Sequence, residues 1–150
     1  MGRAASLTLA LWLATAPAWA GAASCRWDTP KPWPEGASNR WSGACKDGQA
    51  QGLGVLRALR GNQVVQAFYG RYDEGRAVLG AVELEGGYRA GRFSSDGRVV
   101  PDGDRDTAIK AFDEAAAAAK AMAAELRRNG NAASARFYEA KARKLAEQLD

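Results

Sequence analysis

Glycines recur at short intervals between Trp41 and Leu56, and this spacing restricts that part of the chain to strands and tight turns. The stretch reads WSGACKDGQAQGLGVL, with glycines at 43, 48, 52 and 54. Glycine inside a strand allows a neighbouring backbone to approach closely, and Asp-Gly supplies the positive φ that hairpin turns require. The pattern therefore predicts a sheet built from repeated hairpins rather than an enzyme core.

Two weaker copies of this unit follow, at intervals typical of one supersecondary unit per repeat. Each unit has an aromatic residue shortly before a glycine and a second bulky residue two positions after that glycine. These residue pairs are Trp41 with Cys45, Phe68 with Tyr72, and Tyr88 with Phe93. Because alternate residues of a strand share one face, the intervening glycine leaves a slot in which an aromatic ring can lie flat.

The units resemble the MORN repeat, whose pattern is aromatic-x-Gly-x-aromatic-x-x-Gly-x-x-x-Gly-x-Gly. The first unit matches at Trp41 and at all four glycines, with Cys45 in the second aromatic place. The second matches through Gly75 and then departs, and the third has an extra residue before Gly91. The resemblance covers residues 41–97. It implies a single-layer sheet of successive hairpins that contacts proteins or membranes and has no chemistry of its own.

The rest of the chain divides into strand-like and helix-like parts. The candidate strands are 39–45, 53–60, 62–72, 77–85, 87–94 and 98–100, with a first turn over 46–51. After Pro101 the chain is alanine-rich, and apolar residues recur every three or four positions, which predicts a long helix. Asn129-Gly130 is typical of a helix end, and a second helix is expected from 131 or 132.

We therefore predict an α+β protein, an antiparallel β-meander of MORN-like hairpins followed by a C-terminal αα-hairpin. Alanine at so many apolar positions buries little area, so the helices are expected to lean on the end of the sheet or on another protomer. Trp27 and Trp33 are expected to pack over the first hairpin. The predicted divisions are a signal peptide over 1–20, an irregular lead-in over 21–38, the repeat sheet over 39–101 and the helical hairpin over 104–150.

The N-terminus has the features of a secretory signal peptide. Arg3 precedes a short apolar run, and Ala18-Trp19-Ala20 is a small-x-small cleavage pattern, so we expect cleavage after Ala20. The run is shorter than the roughly 20 apolar residues that span a bilayer. An uncleaved anchor or a buried helix is the alternative. The expected location is periplasmic or secreted.

The chain has two cysteines, Cys25 and Cys45. In an exported protein the simplest arrangement of an even pair is one disulfide. The alternative is a lipid anchor at Cys25, because residues 22–25 faintly resemble a bacterial lipobox. Lipidation would leave Cys45 unpaired.

The composition argues against several kinds of active site. There is no histidine, which removes Ser-His-Asp triads and nearly all catalytic zinc sites. The 21 basic and 17 acidic residues are scattered, so no basic stripe predicts nucleic-acid binding. Asp102, Asp104, Asp106 and Asp113 partly follow EF-hand spacing, but a polar turn and helix caps account for them. We predict no catalytic residue, no cofactor and no metal.

The expected function is protein contact without catalysis, as an interaction or scaffolding module of the periplasm or cell envelope. A protein partner or self-association is implied. The expected contact residues are Trp41, Phe68, Tyr72, Tyr88 and Phe93; the alternative is that these aromatics only hold the repeat together. Peripheral binding to anionic membranes, and a small secreted hydrolase or effector, are the other functions left open.

Overall fold

The computed structural model describes residues 24–101 and 104–149, so the predicted signal peptide lies outside the described residues. Each strand pairs antiparallel with its neighbour in chain order, which gives one five-stranded sheet. The predicted α+β class, a meander followed by two helices, is confirmed. The elements are β1 Ser38–Lys46, β2 Gln49–Arg60, β3 Gln63–Asp73, β4 Arg76–Leu84, β5 Gly87–Arg92, α1 Arg105–Arg128 and α2 Ala132–Ala146.

The first hairpin is tighter than the predicted turn over 46–51. Only Asp47 and Gly48 form the turn, both with positive φ, at 52° and 76°. Gly52 and Gly54 instead lie inside β2, where the pairing register shifts opposite Gly43 and Ala44. Gly52 therefore belongs to a bulge. The predicted sixth strand over 98–100 forms only two isolated bridges, between Arg98 and Lys31 and between Val99 and Phe93.

Glycines face one another across all five strands. Gly43 pairs with Gly54, and the row continues through Gly70, Gly80 and Gly91. Aromatic rings occupy the space that side chains would fill. A Cβ atom placed on Gly43 would lie 2.5 Å from Cζ2 of Trp41, and one on Gly80 would lie 2.9 Å from Cζ of Phe68. Each of these aromatic rings thus lies over the glycine backbone of its own strand and of the next strand.

The two faces of the sheet are covered by different parts of the chain. The aromatic face is the face that carries Leu56, Phe68, Tyr72, Val82 and Phe93, and it packs against Trp27, Trp33 and Trp41. The helix face is the face that carries Val55, Ala67, Tyr69 and Ala81, and it packs against α1 and α2. Side-chain alternation along each strand separates the two sets.

The lead-in crosses the turns at one end of the sheet. The N–H groups of Arg26, Asp28 and Lys31 donate to the carbonyls of Gly48, Gly75 and Gly97, at 2.9, 2.7 and 2.8 Å respectively. A disulfide joins Cys25 to Cys45, as predicted. Trp27 and Trp33 belong to the core of the aromatic face, so the lead-in forms the cover of that face.

The helices lie on a face of the sheet, which corrects the expectation that they lean on its end. α1 packs across β2 to β5, and α2 packs on α1. Ala111, Ala115, Ala118 and Ala119 are fully buried. Their small side chains let the backbone of α1 approach the strands closely, which makes the packing tight. Each alanine buries little apolar area.

Candidate functional site

The predicted contact residues on the aromatic face are largely inaccessible. Phe68 and Tyr72 have no exposed surface, Phe93 is 9% exposed, and Trp41 is half-buried. The lead-in occupies the space that a partner would need. This packing corrects the expectation of an open contact surface for Phe68 and Tyr72, whereas Trp41 remains partly accessible and lines an open groove.

The rings on this face contact one another instead. The centroid of Tyr72 lies 4.7 Å from that of Trp41 and 5.3 Å from that of Phe68, and Phe68 lies 5.4 Å from Phe93. The Tyr72 hydroxyl donates to the Asp28 carbonyl at 2.7 Å. Burial raises the pKa of Tyr72, so the hydroxyl remains a donor. These contacts agree with the interpretation that the aromatics hold the repeat and its cover together.

Tyr88 lies on the opposite face from the other four. Its ring packs edge-on against Phe112 of α1, with centroids 6.2 Å apart. The extra residue before Gly91 explains this position, because a one-residue shift in a strand moves a side chain to the other face. Arg89 stands two residues before Gly91, where the first two units have Trp41 and Phe68.

A polar cluster lies between the helix face and α2. Nζ of Lys141 is 2.6 Å from Oε1 of Glu83 and 3.4 Å from the Tyr88 hydroxyl, and the Tyr69 hydroxyl donates to Glu83 at 3.4 Å. Burial lowers the pKa of Lys141, but its bond to Glu83 and the charge of Glu83 outweigh this, so the net pKa is raised. A lysine held in its protonated form offers no free amine for nucleophilic or base chemistry.

An open groove of about 590 Å³ lies between the first hairpin and the C-terminal half of α1. It exists because α1 packs across β2 to β5, while β1 extends beyond the helix as the outermost strand of the sheet. Most side chains of β1 are exposed, and no strand of the described residues pairs with its outer edge. Residues lining the groove include the predicted contact residue Trp41 and also Ser42, Ala44, Leu53, Arg57, Ala121, Met122, Glu125, Leu126 and Arg128.

Arg57 lies in this groove without an acidic partner. Its Nη2 donates to Oγ of Ser42 at 3.0 Å, and burial raises the pKa of Tyr138 while the nearby charge of Arg57 opposes that rise. Its Nε is buried and has no hydrogen-bond partner. Among the residues that the structure describes, no carboxylate lies within ion-pair distance of Arg57.

Sequence reasoning did not single out Arg57, although a signal was present. Residues 53, 55 and 57 share one face of β2, and the first two are Leu53 and Val55, which pack into the core beneath α1. An arginine that shares a strand face with two buried apolar residues indicates a charged side chain at the edge of the core. The groove itself has no signature in the sequence, because it depends on where α1 ends relative to β1.

The acidic stretch at the start of α1 acts as a helix cap. Asp104 accepts hydrogen bonds from the Asp106 N–H at 3.0 Å and from the Thr107 hydroxyl at 2.8 Å. These bonds, that of Thr107 foremost, hold the pKa of Asp104 below its usual value. Asp102 lies outside the described residues. Within 24–101 and 104–149, no group of three or more acidic or cysteine side chains could hold a metal ion.

Comparisons with known proteins leave the resemblance to MORN repeats resting on the residues alone. No protein-family model, no curated protein and no solved structure matches the chain. Among the described residues, no helix is both long and apolar enough to cross a membrane.

Proposed function

We propose that the protein is a non-catalytic binding module of the periplasm or cell envelope, and that a segment of another protein docks in the groove beside β1. The observation that carries the proposal is the open groove next to β1, whose outer edge pairs with no strand in the part of the chain that the structure describes. The Cys25–Cys45 disulfide supports an oxidising compartment. The resemblance to MORN repeats supports a contact role.

The occupant that fits best is an extended segment that pairs with β1. A strand added at a sheet edge gains main-chain hydrogen bonds, and its alternate side chains enter whatever pocket adjoins that edge. Here the adjoining pocket offers apolar side chains from Leu53, Met122 and Leu126. Arg40 on β1 and Arg57 on β2 give this side of the sheet a positive charge, which favours a segment that is apolar and acidic over one that is basic.

Cross-linking in native cells tests this proposal. A photoreactive amino acid at Ala44, which is exposed and lines the groove, should give a discrete adduct that mass spectrometry identifies. The same amino acid at Glu85, in the β4–β5 turn, is the control position. If both positions yield the same set of abundant proteins, the groove is not a docking site.

A pair of helix variants sharpens the test. Ala121 and Ala124 are both exposed on α1, but only Ala121 lines the groove. Ala121→Arg should abolish the adduct at position 44 by filling the groove, whereas Ala124→Arg should leave it intact. Equal adduct yields in the two variants would contradict docking in the groove.

A second candidate function is attachment to an anionic membrane surface. Phe137 is 55% exposed on the outer side of α2, where Arg136, Arg143 and Lys144 are also exposed. An exposed aromatic among basic residues is typical of helices that lie on anionic lipid. We expect co-sedimentation with phosphatidylglycerol vesicles at low salt, weakened by Phe137→Ala. Absence of binding to these vesicles would remove this function.

A further inference from the structure

Two arginines stand directly opposite each other beside the groove. Arg40 of β1 and Arg57 of β2 are register partners, and residues opposite each other in an antiparallel pair point to the same face. Arg40 is exposed, while Arg57 is half-buried. Like charges in this arrangement repel each other and weaken a sheet, so the pair costs stability.

Some other arginines of the described residues have carboxylate partners. Arg71 pairs with Glu114 at 2.8 Å, and Arg127 and Arg128 pair with Glu139 and Glu125. Among the described residues, neither Arg40 nor Arg57 has an acidic side chain within 4.0 Å. Arg57 in addition has a buried Nε that bonds nothing. Partial burial of a charge without a counter-charge is unfavourable, and for Arg57 the described residues provide no such counter-charge, so an anion from outside would stabilise this position.

We propose that the segment docking beside β1 supplies this anion, as an aspartate or glutamate carboxylate bound by Arg40 and Arg57 together. This inference rests on the proposed function, because the carboxylate arrives on a strand that pairs with the edge of β1. A residue of that strand opposite Arg40 would have its Cβ about 5 Å from that of Arg40. The guanidinium of Arg57 lies one strand further in and lines the groove.

The chemistry favours a carboxylate over a neutral group. A guanidinium presents paired N–H donors whose geometry matches the two oxygens of a carboxylate, and such charged bonds are about twice as strong as neutral ones. Ser42 already holds the guanidinium of Arg57 by a hydrogen bond. A group held in this way loses little freedom on binding, so selectivity for an acidic residue follows without a conformational change.

Synthetic peptides with blocked ends test the proposal on the intact protein. The probes are short peptides of alternating valine and serine with one aspartate at successive inward positions, and matched peptides with asparagine in its place. Fluorescence anisotropy measures their binding. We expect at least one aspartate peptide to bind about tenfold or more tightly than its asparagine match, because charge-assisted bonds replace neutral ones.

Arginine variants test whether Arg40 and Arg57 cause the preference for aspartate over asparagine. Arg57→Gln and Arg40→Gln should each reduce the aspartate preference, with the asparagine peptide binding as before. Arg89→Gln, an exposed strand arginine on β5, is the matched control and should leave the preference unchanged. Arg40 is exposed, so its variant keeps the proposal testable if Arg57→Gln fails to fold, which circular dichroism would show.

The outcomes separate this inference from the function on which it rests. If aspartate and asparagine peptides bind wild type equally well, the carboxylate site is wrong while docking at β1 stands. If neither binds, docking of an extended segment at β1 is wrong, and the carboxylate site with it. A preference that survives in both Arg40→Gln and Arg57→Gln also overturns the assignment to this pair.

Discussion

The two faces of the sheet are packed by opposite means. On the aromatic face, large rings lie on bare glycine backbone, and a short irregular lead-in tied by a disulfide covers them. On the helix face, alanines of a regular helix bring α1 close to the strands, and a charged cluster lies beneath α2. The aromatic face packs large rings over glycines of the strands, and the helix face packs small alanine side chains beneath a long helix.

This difference decides where a partner can bind. The lead-in follows the turns at the end of the sheet and covers the aromatic face, so Phe68 and Tyr72 are inaccessible. On the other face, α1 packs across β2 to β5 and leaves the side of β1 open. The irregular lead-in therefore buries Phe68 and Tyr72 on the aromatic face. The regular helix α1 leaves the groove open on the helix face.

The largest loss of stability is expected from adding one methyl group beneath the rings. In Gly70→Ala, the new Cβ would lie 2.6 Å from Cα of Gly80 and 2.9 Å from Cζ of Phe68. Because the first of these is backbone, we expect the free energy of unfolding to fall by about 4 kcal/mol from steric overlap and strain. Urea denaturation followed by circular dichroism measures it.

A turn glycine gives the matched control for this change. Gly61 has φ of 61° and nothing within 4 Å of a Cβ placed on it. Asparagine tolerates this conformation, so Gly61→Asn should cost less than about 1 kcal/mol. Equal losses at Gly70 and Gly61 would show that backbone conformation, and not the space under the rings, sets the requirement for glycine.

Removing the disulfide tests how firmly the lead-in is held. The bond joins positions 20 residues apart, and a loop of this size is worth about 3 kcal/mol in the chain-entropy account. The double variant Cys25→Ser, Cys45→Ser should lower the free energy of unfolding by about that amount. A variant as stable as wild type would mean that the backbone bonds of Arg26, Asp28 and Lys31 alone fix the cover.

Enlarging one alanine tests the tightness of the helix face. Ala119 is fully buried between α1 and the sheet, so Ala119→Leu should overpack this layer and cost about 2 kcal/mol. Ala117 is exposed on the same helix, and Ala117→Leu should change stability little, because leucine and alanine have similar helix propensities. Thermal unfolding of the two variants makes the comparison. A stabilised Ala119→Leu would reveal unfilled space beneath α1.

The sequence predicts which strands and turns form better than it predicts what covers each face of the sheet. Glycine and aromatic spacing predicted the meander, because both requirements are local to a hairpin. Trp27 and Trp33 were expected over the first hairpin, but the spacing could not show that they pack against the cluster around Phe68, since that depends on a lead-in without periodicity. Tyr88 illustrates the limit, because one extra residue moved it to the helix face. The groove was unpredictable because it depends on where two elements end.

Unfolding at alkaline pH tests whether the two faces of the sheet lose their packing together. The expected change in the free energy of unfolding is smallest near neutral pH. Burial raises the pKa of Tyr69 on the helix face, as does the charge of Glu83, and burial likewise raises that of Tyr72 on the aromatic face. An unfolded tyrosine ionises near pH 10.0. The folded state therefore retains protons that the unfolded chain releases, so this contribution is complete below that pH and is lost as pH rises further.

Tyr69→Phe and Tyr72→Phe separate the two contributions. Each retained proton makes the free energy of unfolding fall by about 1.4 kcal/mol per pH unit above the unfolded pKa, so each variant should show a shallower alkaline decline. At neutral pH each should lose only about 1 kcal/mol, for one hydrogen bond. If the faces unfold together, tyrosinate absorbance and the helical circular dichroism signal change at the same pH. If Tyr72 ionises while the helical signal is intact, the lead-in opens before the helix face, and the disulfide-tied cover is the weaker of the two.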